Sequence, residues 1–169
     1  REGLYGYYDD AERYAFFSRA VLEVIPHIGF VPDVIHCNDW QTGLIPYILK
    51  ANYFAYPEYN RIKTMFSIHN IQYQGIFGMD IMKSLFIPYS NSLEFNGCIN
   101  FLKAAIMESN VINTVSPTYK DEVLTSQYGY GLENMLGLRY NDFVGIINGI
   151  DVVKFNPSTD PNIFKNFDK

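Results

Sequence analysis

Lys63-Thr64-Met65-Phe66-Ser67-Ile68 is β-prone and mostly apolar, and it gives way at once to His69-Asn70-Ile71-Gln72-Tyr73-Gln74-Gly75. The apolar run reads as a strand buried on both faces, which occurs in parallel sheets flanked by helices. In open α/β sheets, ligands lie outside the carboxyl ends of the strands, where loops converge. Three further runs make the same switch from apolar to polar. Pro32-Asp33-Val34-Ile35 leads into His36-Cys37-Asn38-Asp39-Trp40, and Ser109 to Val115 leads into Ser116-Pro117-Thr118-Tyr119. Asp142 to Ile147 leads into Asn148-Gly149-Ile150-Asp151. Short strands followed by polar groups and helical patterns are the repeat of a doubly wound fold. The fold class expected is therefore α/β, a Rossmann-like three-layer domain with a mostly parallel sheet.

The segments between fit that frame. Asp9 and Asp10 open a helix whose apolar face is expected at Tyr14, Phe17, Val21, Val24 and Ile28, ending near Gly29. Thr42 to Phe54 reads as a helix that Pro46 limits or kinks. Residues 79–96 read as short helical pieces and Gly97 to Met107 as a helix. Ser116 and Pro117 are a helix cap and first-turn pair. Tyr128-Gly129-Tyr130-Gly131 reads as a flexible loop before a short helix over Glu133–Arg139. Residues 1–155 are expected to be one partial Rossmann-like domain, and the polar, turn-rich 156–169 the start of an interdomain linker. Arg1-Glu2-Gly3-Leu4 carries no initiator Met, so the chain reads as cut from something longer.

Each polar cluster has a bland reading beside the functional one. His69 is either a hydrogen-bonded core residue or, with Asn70, Tyr73 and Gln74 beside it, part of a site. Asp39 is a helix N-cap, a carboxylate that accepts from sugar hydroxyls, or both, with Trp40 offering a flat apolar face. Asn148-Gly149 is a common turn pair unless Asn148 ends a central strand. His27 and His36 lack matched partners for a metal, and Ser116 lacks a nucleophile elbow. No GxGxxG fingerprint or P-loop is present. No Lys or Arg falls in the four strand-end clusters, which hold amides, hydroxyls, an imidazole and a carboxylate. Such groups suit a neutral, hydroxyl-rich ligand whose donors and acceptors must be paired on burial. The 14 Tyr and 13 Phe supply sugar-stacking faces or, as the default, core.

Bulk properties exclude other classes. A net charge of −5 without a basic stripe argues against nucleic acid or an anionic membrane as partner. No apolar stretch approaches the ~20 residues that span a bilayer. Cys37 and Cys98 stand in no metal or CxxC spacing, which fits a reduced, cytoplasmic protein.

The motifs resemble those of bacterial glycogen synthases and plant starch synthases. Ser67 to Phe77 is similar to their HN-x-x-YQG-x-F block, and Pro32 to Thr42 to their PD-x-x-H-x-x-DW block. Arg1–Gly6, Leu93–Gly97, Thr114–Tyr119 and Gly145–Asp151 match further blocks in the same order. The resemblance implies part of the amino-terminal half of a GT-B glycosyltransferase. It implies retaining transfer of glucose from ADP-glucose to the non-reducing end of an α-1,4-glucan, without a metal or other cofactor. By motif, His69 corresponds to the histidine beside the donor glucose, while Asp39, Trp40, Asn70 and Asn148 line the glucose and acceptor side. Tyr5 corresponds to a cleft tyrosine. Asp39-Trp40-Gln41 stands where many relatives read DWH. The family's K-x-GG-L loop, and the carboxyl domain with its Arg and Lys pair and its cleft glutamate, have no counterpart within these 169 residues. Hence the chain alone is expected to be inactive and to self-associate through an apolar sheet edge beside Asp33–Ile35. A GT-B enzyme using another nucleotide sugar, UDP-linked included, and a non-catalytic glucan-binding module stand as alternatives.

Overall fold

A computed structural model describes residues 2–168; Arg1, which opens the Arg1–Gly6 match, and Lys169, which ends the expected linker, lie outside the described residues. In chain order the elements are α1 (Asp10–Val24), β1 (Val34–Asn38), α2 (Leu44–Ile48), β2 (Lys63–Ile68), β3 (Ile76–Gly78) and α3 (Met82–Leu85). They continue with β4 (Glu94–Phe95), β5 (Cys98–Asn100), α4 (Phe101–Glu108), β6 (Val111–Thr114), α5 (Pro117–Val123), α6 (Glu133–Leu138) and β7 (Phe143–Gly145). The main sheet has four parallel strands in the order β1-β2-β6-β7. The mostly parallel α/β class read from the sequence is therefore the one present.

Strand order settles where the helices go. Each successive strand is added on the same side of the previous one, and parallel crossovers are right-handed almost without exception. All three connections then place their helices on one face. Burial agrees: Cys37, Phe66, Ile68, Ile112, Thr114 and Phe143 on that face are buried. The opposite face carries Val34, His36, Asn38, Lys63, Val111 and Val144, all exposed. Helices thus cover one face of the sheet, while the second face, which the expected three-layer arrangement would also cover, lacks a helical cover among the described residues. β2, in the interior, matches its two-sided apolar pattern best.

Several local expectations need correction. β1 runs to Asn38 rather than stopping at Ile35, so His36 and Cys37 belong to the strand. α1 buries Asp10, Ala11, Ala15, Ser18 and Leu22, whereas Phe17, Val24 and Ile28 are exposed. α1 packs against α2, and three of its five buried side chains, Ala11, Ala15 and Ser18, are small enough to let two helices approach closely. Helical structure continues from Trp40 to Tyr53 through α2, ending in a π-helical turn over Leu49–Tyr53. Pro46 is tolerated because it sits in the first turn of α2, where its missing N–H has no partner to lose. The small antiparallel sheet β3-β5-β4 has no counterpart in the sequence reading, which gave Gly97 to Met107 to one helix. Two- and three-residue strands leave too short a pattern to recognise.

Capping agrees with the sequence at α5, where Ser116 Oγ accepts the Tyr119 N–H at 2.9 Å. Asn100 does the same for α4 through Lys103 N–H at 2.8 Å. The far end of α4 is closed by Arg139, whose guanidinium donates to the carbonyls of Ile106, Met107 and Ser109 and pairs with Asp142. A cation on orphan carbonyls satisfies groups the helix cannot pair itself.

Cys37 is buried in the middle of this core, and burial pushes its thiol from 9.0 up to about 12. The native chain is therefore expected to bind one equivalent of a thiol reagent near pH 8, at Cys98, and two only in denaturant. Linkage adds a pH dependence of known sign. A group whose folded pKa is raised gives stability that is complete below pH 9 and is lost as pH rises from about 9 to about 12. Two rapid native equivalents would show that the β1 packing is looser than described.

Candidate active site

Because the strands of the main sheet are parallel, residues that follow β1, β2 and β6 meet at one rim. Asp39 leaves β1 with φ 54°, a left-handed conformation uncommon outside glycine. Its N–H donates to Ser67 O at 3.0 Å, and its Oδ1 accepts the His69 N–H at 2.9 Å. Asp39 thus stitches the end of β1 to the end of β2. It does not cap the following helical turn with its side chain, so the N-cap reading is corrected. Thr42 Oγ1 holds the neighbouring Asn38, accepting from its N–H at 2.6 Å and donating to its carbonyl at 2.8 Å.

The His69 imidazole is fixed by a residue the sequence reading passed over. Its Nε2 lies 3.0 Å from Asn38 Oδ1. An amide oxygen only accepts, so Nε2 is the donor; in the neutral ring Nδ1 then keeps a lone pair to accept with. Below this pair, His36 Nε2 donates to Ser67 Oγ at 2.7 Å, and Ser67 donates to Asn113 Oδ1. The chain of bonds ties β1, β2 and β6 together under the rim. Asn70 Oδ1 accepts from Gln72 N–H at 3.0 Å, turning the chain after β2. Ile71 N–H donates to Tyr119 Oη at 3.2 Å, which brings α5 to the same rim.

Two clefts flank the turn Asn70–Gly75. One, about 360 Å³, is lined by His69, Asn70, Val115, Tyr119, Tyr128 and Tyr130. The other, about 410 Å³, includes Tyr5, Tyr7, Asp10, Trp40, Tyr73 and Phe77 in its lining. The structure brings Asp39, His69 and Asn70 together and places Tyr5 and Trp40 on the second cleft. Trp40 is only 6% exposed, with edge contacts to Tyr5, Tyr14 and Phe77. The flat sugar-stacking face expected there is instead a core face, one that packs against the Gly75 turn. Asn148 is exposed, lies three residues beyond β7 and lines neither cleft; β7 is an edge strand, not the central one that its site role required. Among the described residues, no Lys or Arg lines either cleft. Among the described residues, no group of three potential metal ligands occurs.

A parallel sheet whose carboxyl rim gathers an imidazole, amides, hydroxyls and one carboxylate defines a Rossmann-like ligand-binding domain. The chain belongs to the family of the starch synthase catalytic domain, whose model matches residues 1–137. It is 48% identical over 166 residues to the glycogen synthase of Geobacillus thermodenitrificans, covering 95% of this chain and 34% of that protein. The glycogen synthase of Alkaliphilus metalliredigens is 46% identical over 172 residues, covering 99% of this chain and 36% of that protein. The catalytic domain of Starch Synthase IV from Arabidopsis thaliana, solved bound to ADP and acarbose, superposes with a TM-score of 0.83. It shares 35% identity and covers 99% of this chain and 35% of that chain. The chain therefore spans about a third of the length of the curated relatives it matches.

Proposed function

We propose that this chain supplies the glucose- and acceptor-facing half of the active site of a glycogen or starch synthase. The reaction is retaining transfer of glucose from ADP-glucose to the non-reducing end of an α-1,4-glucan. The observation that carries the reading is the Asp39–His69–Asn38 arrangement at the rim, next to clefts in which no described residue is a cation. Transfer builds positive charge at the anomeric carbon as the diphosphate leaves. Preorganised dipoles facing that carbon lower the barrier because they do not reorganise during the step. Here Asp39 fixes the His69 backbone, Asn38 fixes its ring, and the Nδ1 lone pair accepts from a sugar hydroxyl. The diphosphate needs cations, which no described residue brings to these clefts, so its binding is assigned to a second domain, reached through residues 156–169. A non-catalytic glucan-binding module is the second reading, favoured by the aromatic lining of both clefts.

Calorimetry separates the two readings. The proposal expects the chain to bind both maltohexaose and ADP-glucose weakly, with no elongation of glucan by the chain alone. Binding of maltohexaose without any response to ADP-glucose favours the module. Elongation by the isolated chain overturns the assignment of the diphosphate to a second domain. Among the described residues no helix is long and apolar enough to cross a membrane, and two free thiols suit a reducing cytoplasm.

We also infer self-association. β1 is a sheet edge with Val34 54% exposed, and the uncovered sheet face adds Val111 and Val144. An apolar edge with unpaired backbone groups is a template for pairing with another copy. Light scattering is expected to show a mass that grows with concentration and falls back toward the monomer in Val34→Lys. A wild-type monomer at all concentrations contradicts it.

A further inference from the structure

The loop Tyr128–Gly131 is built, not slack. Tyr128 and Gly129 N–H groups both donate to Thr125 O, at 3.2 and 2.8 Å, and Leu132 N–H returns to Gly129 O at 2.9 Å. Tyr130 O accepts from the amide of buried Gln74 at 3.1 Å, and Gln74 Oε1 accepts from buried Asn100 at 2.7 Å. The loop is thereby locked to the turn that carries His69. Gly129 is packed so tightly that a Cβ would stand 2.7 Å from Val123 O. Tyr130 itself has φ 51°, strained for an aromatic residue. Strain of this kind persists where the surroundings over-determine it, and it concentrates at ligand sites.

What the strain achieves is a wall. Tyr128 and Tyr130 line the cleft of about 360 Å³ together with His69 and Asn70. Tyr119 Oη accepts from Ile71 N–H, so its own hydrogen is left to donate into the cleft. Lys120, on the same helix as Tyr119, is engaged over the Tyr140 ring at 4.0 Å and is not part of the lining. Exposed aromatic faces, hydroxyls and an imidazole without a cation suit a neutral ring that is apolar on its faces and polar at its edge. We propose that Tyr119, Tyr128 and Tyr130 form a subsite for a neutral hexopyranose beside His69. The inference rests on the proposed function and extends it to residues that reading leaves unassigned. The hexose is either a ring of the glucan acceptor or the glucose of the donor.

The test uses the 169-residue chain with maltohexaose, ADP-glucose and ADP as probes, read by tyrosine and histidine ring signals in NMR. Glycine is comfortable at φ 51°, so Tyr130→Gly relieves strain while removing the ring. The expected result is an unchanged or higher melting temperature together with saccharide affinity reduced on the order of tenfold. Tyr130→Phe is expected to bind within about threefold of wild type, since the ring face is kept. Loss of maltohexaose binding alone assigns the ring to the acceptor; loss of ADP-glucose binding alone assigns it to the donor. ADP shifting these tyrosines as strongly as either sugar overturns the proposal. So does wild-type affinity in Tyr130→Gly with His69 still responding, which leaves the proposed function standing. No response of His69 to any sugar removes both.

Discussion

Gly75→Ala is expected to cost the fold about 2–4 kcal/mol, the sum of a left-handed strain of order 1 kcal/mol and an overpacking cost of about 1–3. Gly75 has φ +65°, and a Cβ there would lie 2.5 Å from Trp40 Cε3. The indole has no room to retreat, since Tyr14, Phe77 and Phe101 surround it. The turn cannot lift either, because Gly75 O accepts Phe101 N–H at 3.1 Å and Gln74 O accepts Leu102 N–H at 3.0 Å. Both bonds close the first turn of α4. The measurement is a urea midpoint shift at constant m-value. A shift worth less than about 1 kcal/mol would mean that the turn and the indole move apart readily, contrary to the packing described.

His69→Ala is expected to leave stability nearly unchanged, because the ring is exposed and its single bond goes to an exposed Asn38. Within a synthase-length polypeptide that carries this segment, the same change is expected to lower glucosyl transfer about 10²–10³-fold, the usual cost of removing one preorganised polar group at a reacting centre. The loss should fall on kcat more than on KM, since the stabilisation is greatest once charge develops. Asp39→Asn supplies the control, because its amide oxygen can still accept the His69 N–H. Equal losses in kcat and stability would assign His69 to the fold rather than to the chemistry.

The two residues differ in how far the sequence disclosed them. The run Lys63–Ile68 followed by His69 was legible because a strand buried on both faces has one pattern and its end is abrupt. Asn70 was legible for the same reason, whereas Asp39 follows an edge strand whose end was read three residues too early. Trp40 was misread because an aromatic beside a carboxylate looks alike whether it faces a ligand or the core; only the close approach of the Gly75 turn decides it. The face of α1 was misread because close helix packing selects Ala11, Ala15 and Ser18 over the larger Phe17 and Val24. Asn38, Tyr119 and Tyr130 act through bonds to residues about 30 to 60 positions away, and no local pattern encodes a partner at that distance.

The most direct measurement follows the three histidine C–H resonances while ADP-glucose and then maltohexaose are added to the chain. His69 lies at the carboxyl rim, whereas His27 precedes the start of β1, lines neither cleft and serves as an internal reference. Displacement of the His69 signals with those of His27 unmoved is the predicted result. A His69 signal that ignores both sugars, or a His27 signal that moves in its place, contradicts a carbohydrate site at this rim.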